Sequence, residues 1–291
     1  MRRRLAAAAA ALLLAGCDGD EQARVVLLEP GWRVELLGTP GQGFVSPDGL
    51  LWHDGSLLMA DESGGAVRRW TPGGASVALA GAEDGLSSPE DLARDAAGRL
   101  YVTDDNAGGV RRIDPDGRVA LVAGPESGLG STEGIAVAPW GAILVGDADG
   151  RRIVAIAADG ALADFVPAAA GIAKPESLAF DGRGNLYIAD NEAHVLYLRT
   201  FDGRIHAPIR DRAGFSPESI AYAGGALYIT DSRHHALYRY RPEDGLEPIA
   251  AFAGVFANVQ GIAADPAGNL YLSIRSGPGD GRGYVLRLAR R

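Results

Sequence analysis

Residues 174–192 read KPESLAFDGRGNLYIADNE. A glutamate stands just before a short apolar run, a glycine-rich turn follows, and a second apolar run ends on an aspartate. Runs of four to seven residues rich in Leu, Tyr and Ile, divided by turn residues, are the pattern of a β-hairpin and not of a 3.6-period helix. Nearly the same phrase is written six times. The copies open SPDGLLW at 46, SPEDLAR at 88, STEGIAV at 131, KPESLAF at 174, SPESIAY at 216 and NVQGIAA at 258. The third position of each falls at 48, 90, 133, 176, 218 and 260, so the period is 42 or 43 residues. Each copy continues into a second run such as RLYVTD or NLYIAD, a third such as GVRRI, a turn such as DPDG at 114–117, and a fourth such as RVALVAG at 118–124.

Four short strands per 42 or 43 residues predict one propeller blade per copy. The expected fold is all-β: a six-bladed β-propeller of four-stranded antiparallel blades over residues 32–291. The sixth copy reaches Arg291 with three strands, and WRVELL at 32–37 reads like the missing fourth. Pairing that N-terminal strand onto the last blade would close the ring and remove an open edge.

The chain starts with Arg2, Arg3 and Arg4, then an Ala/Leu run, then Leu14-Ala15-Gly16-Cys17. A basic start, an apolar stretch and small residues before a cut describe an export signal over residues 1–16. The Leu-Ala-Gly-Cys ending resembles a bacterial lipobox, which implies lipidation of Cys17, membrane anchoring through it, and a periplasmic or cell-surface location. Residues 17–31 then read as an acidic tether with room for one extra strand. Cys17 is the single cysteine, so no internal disulfide and no cysteine metal cluster can form. Loss of residues 1–16 removes three arginines and takes the formal charge from -9 to -12. That sign disfavours nucleic acid and suits cations. The chain is expected to be monomeric. Lys174 is the only lysine beside 27 arginines and reads as codon bias.

In a blade the first strand lines the channel, so its opening residue stands at the channel mouth. This places Asp48, Glu90, Glu133, Glu176, Glu218 and Gln260 in one axial ring. The aspartates that end the second strands, Asp61, Asp104, Asp147, Asp190 and Asp231, with Ser273 in the last copy, read as caps for backbone N–H groups. Two carboxylates about 5 Å apart repel by roughly 3 kcal/mol at an effective dielectric near 20, about two pKa units. Five acids around one axis therefore need protons, a partner cation from Arg233 or Arg275, water in a wider ring, or a bound divalent cation. An all-oxygen set suits Ca²⁺. His234, beside His235, lies on the same face and is a candidate substrate contact.

At these motifs the chain is similar to the six-bladed propellers of the gluconolactonase and senescence-marker-protein family and to NHL-repeat proteins. PESLAFDGRGNLYIAD follows the NHL pattern, although the arginine five residues past the aspartate is present only as Arg152. The resemblance implies a divalent metal on the channel axis and a metal-dependent lactone or ester hydrolase, with Asp48 of SPDG as ligand and general base. Glu90, Glu133, Glu176 and Glu218 occupy the same slot in other blades, and Asp48 and Glu133 are the expected catalytic pair. No Pro-Asn-Gly is present, and His53 stands where that motif would carry a further aspartate. The other function the fold admits is a non-catalytic propeller that binds a small ligand or a protein on its upper face. GPGDGRG at 277–283 has no lysine and leads into a strand, so it reads as a hairpin loop.

Overall fold

The computed structural model of the chain describes residues 10–14, 23–210, 212–275 and 282–291. Cys17, its flanks and most of the 277–283 loop lie outside the described residues. Six sheets are arranged as blades. In the first, strands Pro47–His53, Ser56–Asp61, Ala66–Trp70 and Val77–Ala80 follow one another outward from the axis. The inner strands of the other five are Pro89–Arg94, Thr132–Val137, Pro175–Phe180, Pro217–Ala223 and Val259–Ala264. Each inner strand adjoins the next, and the sixth adjoins the first, so the ring is closed.

Closure happens as the sequence implied. Trp32–Gly38 pairs antiparallel with Gly283–Arg290 as the fourth strand of the sixth blade, in a register running from Trp32↔Arg290 to Gly38↔Val285. Trp32 is buried among Tyr228, Leu237, Leu272 and Leu288, and its indole N–H donates to Glu29 at 2.9 Å. The region ahead of it also builds sheet: Ala23–Leu27 pairs with Gly245–Ala253 on the outer edge of the fifth blade, and Ala10–Leu14 pairs with Ala23–Leu27. Val25 and Leu27 enter the core, so the segment expected as a tether contributes a packed strand.

The core lies between blades, where apolar side chains of adjacent sheets meet in separate clusters. Near the axis the packing is tight enough to dictate residue size. A Cβ on Gly49 would lie 2.5 Å from the Glu90 carbonyl, and one on Gly146 would lie 2.4 Å from the Pro175 carbonyl. Where the chain has a hydroxyl instead, it reaches across to the next blade. Thr103 Oγ1 donates to the Glu133 carbonyl at 2.5 Å, Thr230 to that of Gln260 at 2.7 Å, and Ser273 to that of Asp48 at 2.9 Å. These bonds hold the backbone of three ring positions from the side.

The second-strand aspartates are buried caps. Asp61 accepts from the N–H groups of Val45 and Ser46, Asp104 from Ser87, Ser88 and Ala107, and Asp190 from Ala173, Lys174 and Ala193. Asp147 accepts from Gly150 and Asp231 from His234 in the same manner. Each ties the loop after strand two to the segment before strand one or to its own turn, and so sets where strand one begins. Arg152 pairs with Asp147 at 2.8 Å as the NHL pattern implies, and Arg68, seven residues past Asp61, does the same at 2.6 Å. The sixth blade corrects the sequence reading. Val259 pairs with Ile274 where Pro175 pairs with Asp190, so Ile274 holds the aspartate slot and Ser273 lies one residue earlier. Ser273 shares its position with Thr103 and Thr230, which explains its cross-blade bond.

Candidate functional site

The start of each inner strand places one side chain at the same end of the channel. Asp48, Glu90, Glu133, Glu176 and Glu218 converge there and, with Gly49, Asp91 and Ser219, line a cavity of about 20 Å³. That is room for one water or one ion. Gln260, the sixth ring position, is drawn aside: its amide donates to Asn258 Oδ1 at 2.6 Å. A larger space of about 220 Å³ adjoins the ring, its wall more polar than apolar although Leu50, Trp52, Leu92, Leu178 and Ile220 contribute to it. Asp91 and Ser219 border both spaces.

Two further sets of residues complete the site, and both follow from the repeat. The position two before the ring residue holds Ser46, Ser88, Ser131, Lys174, Ser216 and Asn258. The position after the capping aspartate holds Glu62, Asp105, Ala148, Asn191, Ser232 and Arg275. From the first set, Ser131 Oγ donates to Glu133 at 2.9 Å and Ser88 Oγ to Glu90 at 3.3 Å. From the second, Asn191 Nδ2 donates to Glu176 at 2.6 Å and to Glu218 at 3.3 Å. Ser131 Oγ also lies 2.5 Å from Asp105, so its single proton serves Glu133 and Asp105 in turn.

The cation in the ring is not an arginine. Arg275 pairs with Glu62 at 2.5 Å, and Arg233 forms no ion pair with a ring acid among the described residues. Lys174 does: its ammonium lies 2.8 Å from Glu176 and 3.3 Å from Glu133. Burial opposes its charge, but attraction to Glu176 and Glu133 outweighs that and raises its pKa. Reading Lys174 as codon bias was therefore mistaken. Repeat alignment carries the missed signal, because lysine stands where four copies have serine. His234 is likewise not a ring residue; its Nδ1 lies 2.8 Å from Asp231, a capping aspartate. His53 ends the first inner strand, at the opposite end from Asp48, and its Nε2 lies 3.4 Å from Asp54.

One lysine leaves the ring short of positive charge, and the carboxyls respond. Burial pushes Asp48 up, and the charges of Glu218 and Glu62 push it further, against Arg275. Glu176 is raised by burial and by Glu218 and Glu133, against Lys174. Burial and the charges of Asp48 and Glu133 take Glu90 to about 10. Burial takes Asp91 to about 7, opposed by the N–H groups of Leu92 and Ile135 that its carboxylate accepts. Asp91 was not among the residues picked out by sequence.

These shifts have a stability consequence with a definite sign. In the unfolded chain Glu90 and Asp91 lose their protons near the ordinary values of 4.5 and 3.8; folded, they keep them to about 10 and about 7. Between those limits the folded state binds more protons, so stability falls as pH rises. In chelator, thermal stability is expected to be highest near pH 5 and to decline toward pH 9. From these two groups the loss should be about 6 kcal/mol between pH 5 and 8. A flat Tm profile over that range would mean that the carboxylates are charged and fully compensated.

The ring acids surround a space of ionic size, but among the described residues no three His, Cys, Asp or Glu side chains are drawn into metal-ligating geometry. The donor chemistry nevertheless fits a hard cation on one side. Asp48, Glu90 and Glu218 supply oxygen only and have no positive side chain within ion-pair distance among the described residues, whereas Glu133 and Glu176 share Lys174.

A family model described as strictosidine synthase-like, N-terminal, matches residues 77–113. A search of curated proteins finds no match. Among solved structures, a gluconolactonase from Xanthomonas campestris superposes with a TM-score of 0.71 at 19% identity, covering 99% of this chain and 100% of that one. Virginiamycin B lyase from Staphylococcus aureus gives 0.64 at 14%, covering 89% and 100%. A chain of the nidogen/laminin complex gives 0.64 at 18%, covering 84% and 94%. With the six sheets and their closed ring, these likenesses establish that the chain has the β-propeller fold found in gluconolactonases and in virginiamycin B lyase.

Proposed function

We propose that the chain is an exported, Cys17-anchored propeller hydrolase that acts on a lactone or small ester at the acidic ring with the help of one divalent cation, Ca²⁺ by donor type. The observation that carries this reading is the convergence of five carboxylates on a one-ion cavity that Lys174 neutralises on one side only. Asp48, Glu90 and Glu218 would hold the cation, which when bound would polarise the carbonyl oxygen of the substrate. With the cation's charge offsetting the upward shift of its pKa, Asp48 would stand as a carboxylate that orients and deprotonates the attacking water, the role that the family resemblance implies for it. Asp91, whose pKa of about 7 lets it exchange protons near neutrality, is the group best suited to pass the proton onward. Glu133, held by Ser131 and Lys174, keeps the ammonium in place and thereby shapes the far wall of the site. The adjoining space, whose wall mixes polar groups with side chains such as Leu50 and Leu178, would accept the remainder of a substrate.

The test is elemental analysis of the purified protein together with turnover of δ-valerolactone and p-nitrophenyl acetate. The expected result is about one divalent ion per chain and hydrolysis that Asp48→Asn lowers by about 10³-fold in kcat. Glu133→Gln should lower it as well. A second reading, a non-catalytic propeller that binds a small ligand or a protein on this face, is favoured by Lys174, because an internal ammonium lets part of the ring stand without metal. A metal-free protein that stays folded in chelator and turns over neither probe supports that second reading and ends the first.

A further inference from the structure

We propose that Lys174 is a tethered cation of the ring: its ammonium takes the place of an ion between Glu133 and Glu176 and so directs any added divalent cation to the Asp48, Glu90 and Glu218 side. This rests on the reading of the ring as a cation site. The repeat makes the case. Five of the six copies fill this slot with a short neutral side chain, serine in four and asparagine in the sixth. Where such a side chain touches its own ring residue it makes one hydrogen bond, Ser88 donating to Glu90, Ser131 donating to Glu133 and Asn258 accepting from Gln260. Lys174 alone brings a charge and, among the described residues of this slot, alone reaches the ring residue of the neighbouring blade, bonding Glu176 at 2.8 Å and Glu133 at 3.3 Å.

The backbone beneath it is held firmly, since the Lys174 N–H donates to the capping Asp190 at 3.0 Å and Pro175 follows. The ammonium is therefore aimed and not free to roam. An ammonium has three donors, and two of them are accounted for by the two glutamates. Its +1 charge offsets one of the two carboxylates that it bridges, which removes the incentive for a second metal ion on that side. It leaves the opposite carboxylates, which carry no such partner, as the place where a hard cation gains most.

The test uses the full chain and two readouts besides activity: Tm in EDTA and in Ca²⁺, and calorimetric titration with CaCl₂. In Lys174→Met the Tm in EDTA at pH 8 should fall by several degrees, millimolar Ca²⁺ should restore it, and Ca²⁺ should bind about tenfold more tightly than to the parent. Glu133→Gln should barely change Ca²⁺ affinity in the parent and should weaken it severalfold in the Lys174→Met background. Lys174→Arg should behave as the parent does. If Lys174→Met does not fold, Lys174→Gln, which removes the charge but keeps a hydrogen-bond donor toward the two glutamates, should fold and show the same gain in Ca²⁺ affinity.

Unchanged Tm in EDTA together with unchanged Ca²⁺ affinity in Lys174→Met, or in Lys174→Gln where the methionine variant does not fold, would overturn the proposal while leaving the hydrolase reading intact. Conversely, a parent that binds no Ca²⁺ and hydrolyses nothing removes the hydrolase reading. A Lys174→Met protein that then acquires a Ca²⁺-dependent Tm still upholds the tethered cation.

Discussion

A chain that starts at Thr39 should fail to form a stable propeller, giving aggregated protein or a broad, low-temperature transition in place of cooperative unfolding. Such a truncation removes the strand Trp32–Gly38, which is the outer strand of the sixth blade and hydrogen-bonds the N-terminal part of the chain to its last strand. Without it Gly283–Arg290 becomes an open edge, the kind of edge that recruits other chains. The apolar cost is concentrated in Trp32, which is 1% exposed. Its ring carries the Arg290 guanidinium 4.0 Å above it, and its N–H is anchored by Glu29. Glu29 in turn receives Arg239 at 2.8 Å and Arg290 at 3.3 Å, and Arg239 also pairs with Glu247. The truncation therefore strips two arginines of a shared partner while baring Leu286 and Leu288. The milder Trp32→Ala should keep the fold and cost about 3–5 kcal/mol. Thermal unfolding with light scattering reads both; a truncated chain that melts cooperatively at the parent Tm would show that the closing strand is dispensable.

Gly261→Ala should disable the site through the backbone and not through any ring side chain. A Cβ at this position would lie 1.9 Å from the carbonyl oxygen of Asp48 and 3.0 Å from Ser273 Oγ. The neighbour is backbone and has no rotamer to escape into, so the first and sixth inner strands must separate. Overpacking of this kind costs about 3 kcal/mol or more. It also shifts Asp48, whose carbonyl is held by Ser273 at 2.9 Å while Ser273 accepts the Gly261 N–H at 2.7 Å. The expected result is a large fall in Tm and, on the folded fraction, loss of Ca²⁺ binding and of turnover. Ser273→Ala is the matched control: it creates space, removes one hydrogen-bond bridge, and should cost about 1 kcal/mol. Equal effects from the two variants would mean that the close approach of Gly261 to Asp48 does not matter.

Much of this was legible in the sequence because a repeat turns position along the chain into position around an axis. The 42- or 43-residue period, the turn residues between short apolar runs and the stray strand at 32–37 were enough for six blades and their closure. The same translation put five carboxylates at the channel mouth and assigned the second-strand aspartates to capping. It failed where one copy departs from the rest. Lys174 was set aside because a single lysine among arginines looks like chance until its slot is compared with Ser88, Ser131 and Ser216. The assignment of Ser273 was one residue off because NLYLSI offers no aspartate to align, and only the pairing of Val259 with Ile274 settles it.

What remained was tertiary in origin. Distances between side chains on neighbouring blades depend on blade tilt and on which small residues allow close approach, and neither is written in a single copy. Hence the choice of Lys174 over Arg233 or Arg275 as the cation of the ring, the withdrawal of Gln260 toward Asn258, and the elevation of Asp91 to about 7 by burial are properties of the assembled molecule. The strand Ala23–Leu27 belongs with them, since a short apolar run pairs only where a partner edge is offered, and the fifth blade offers one. Sequence alone determined the sixfold order and the sign of the charge at the axis, because both are counted along the chain. Which acids are neutralised, and which are left to seek a cation, was decided by the packing of one blade against the next.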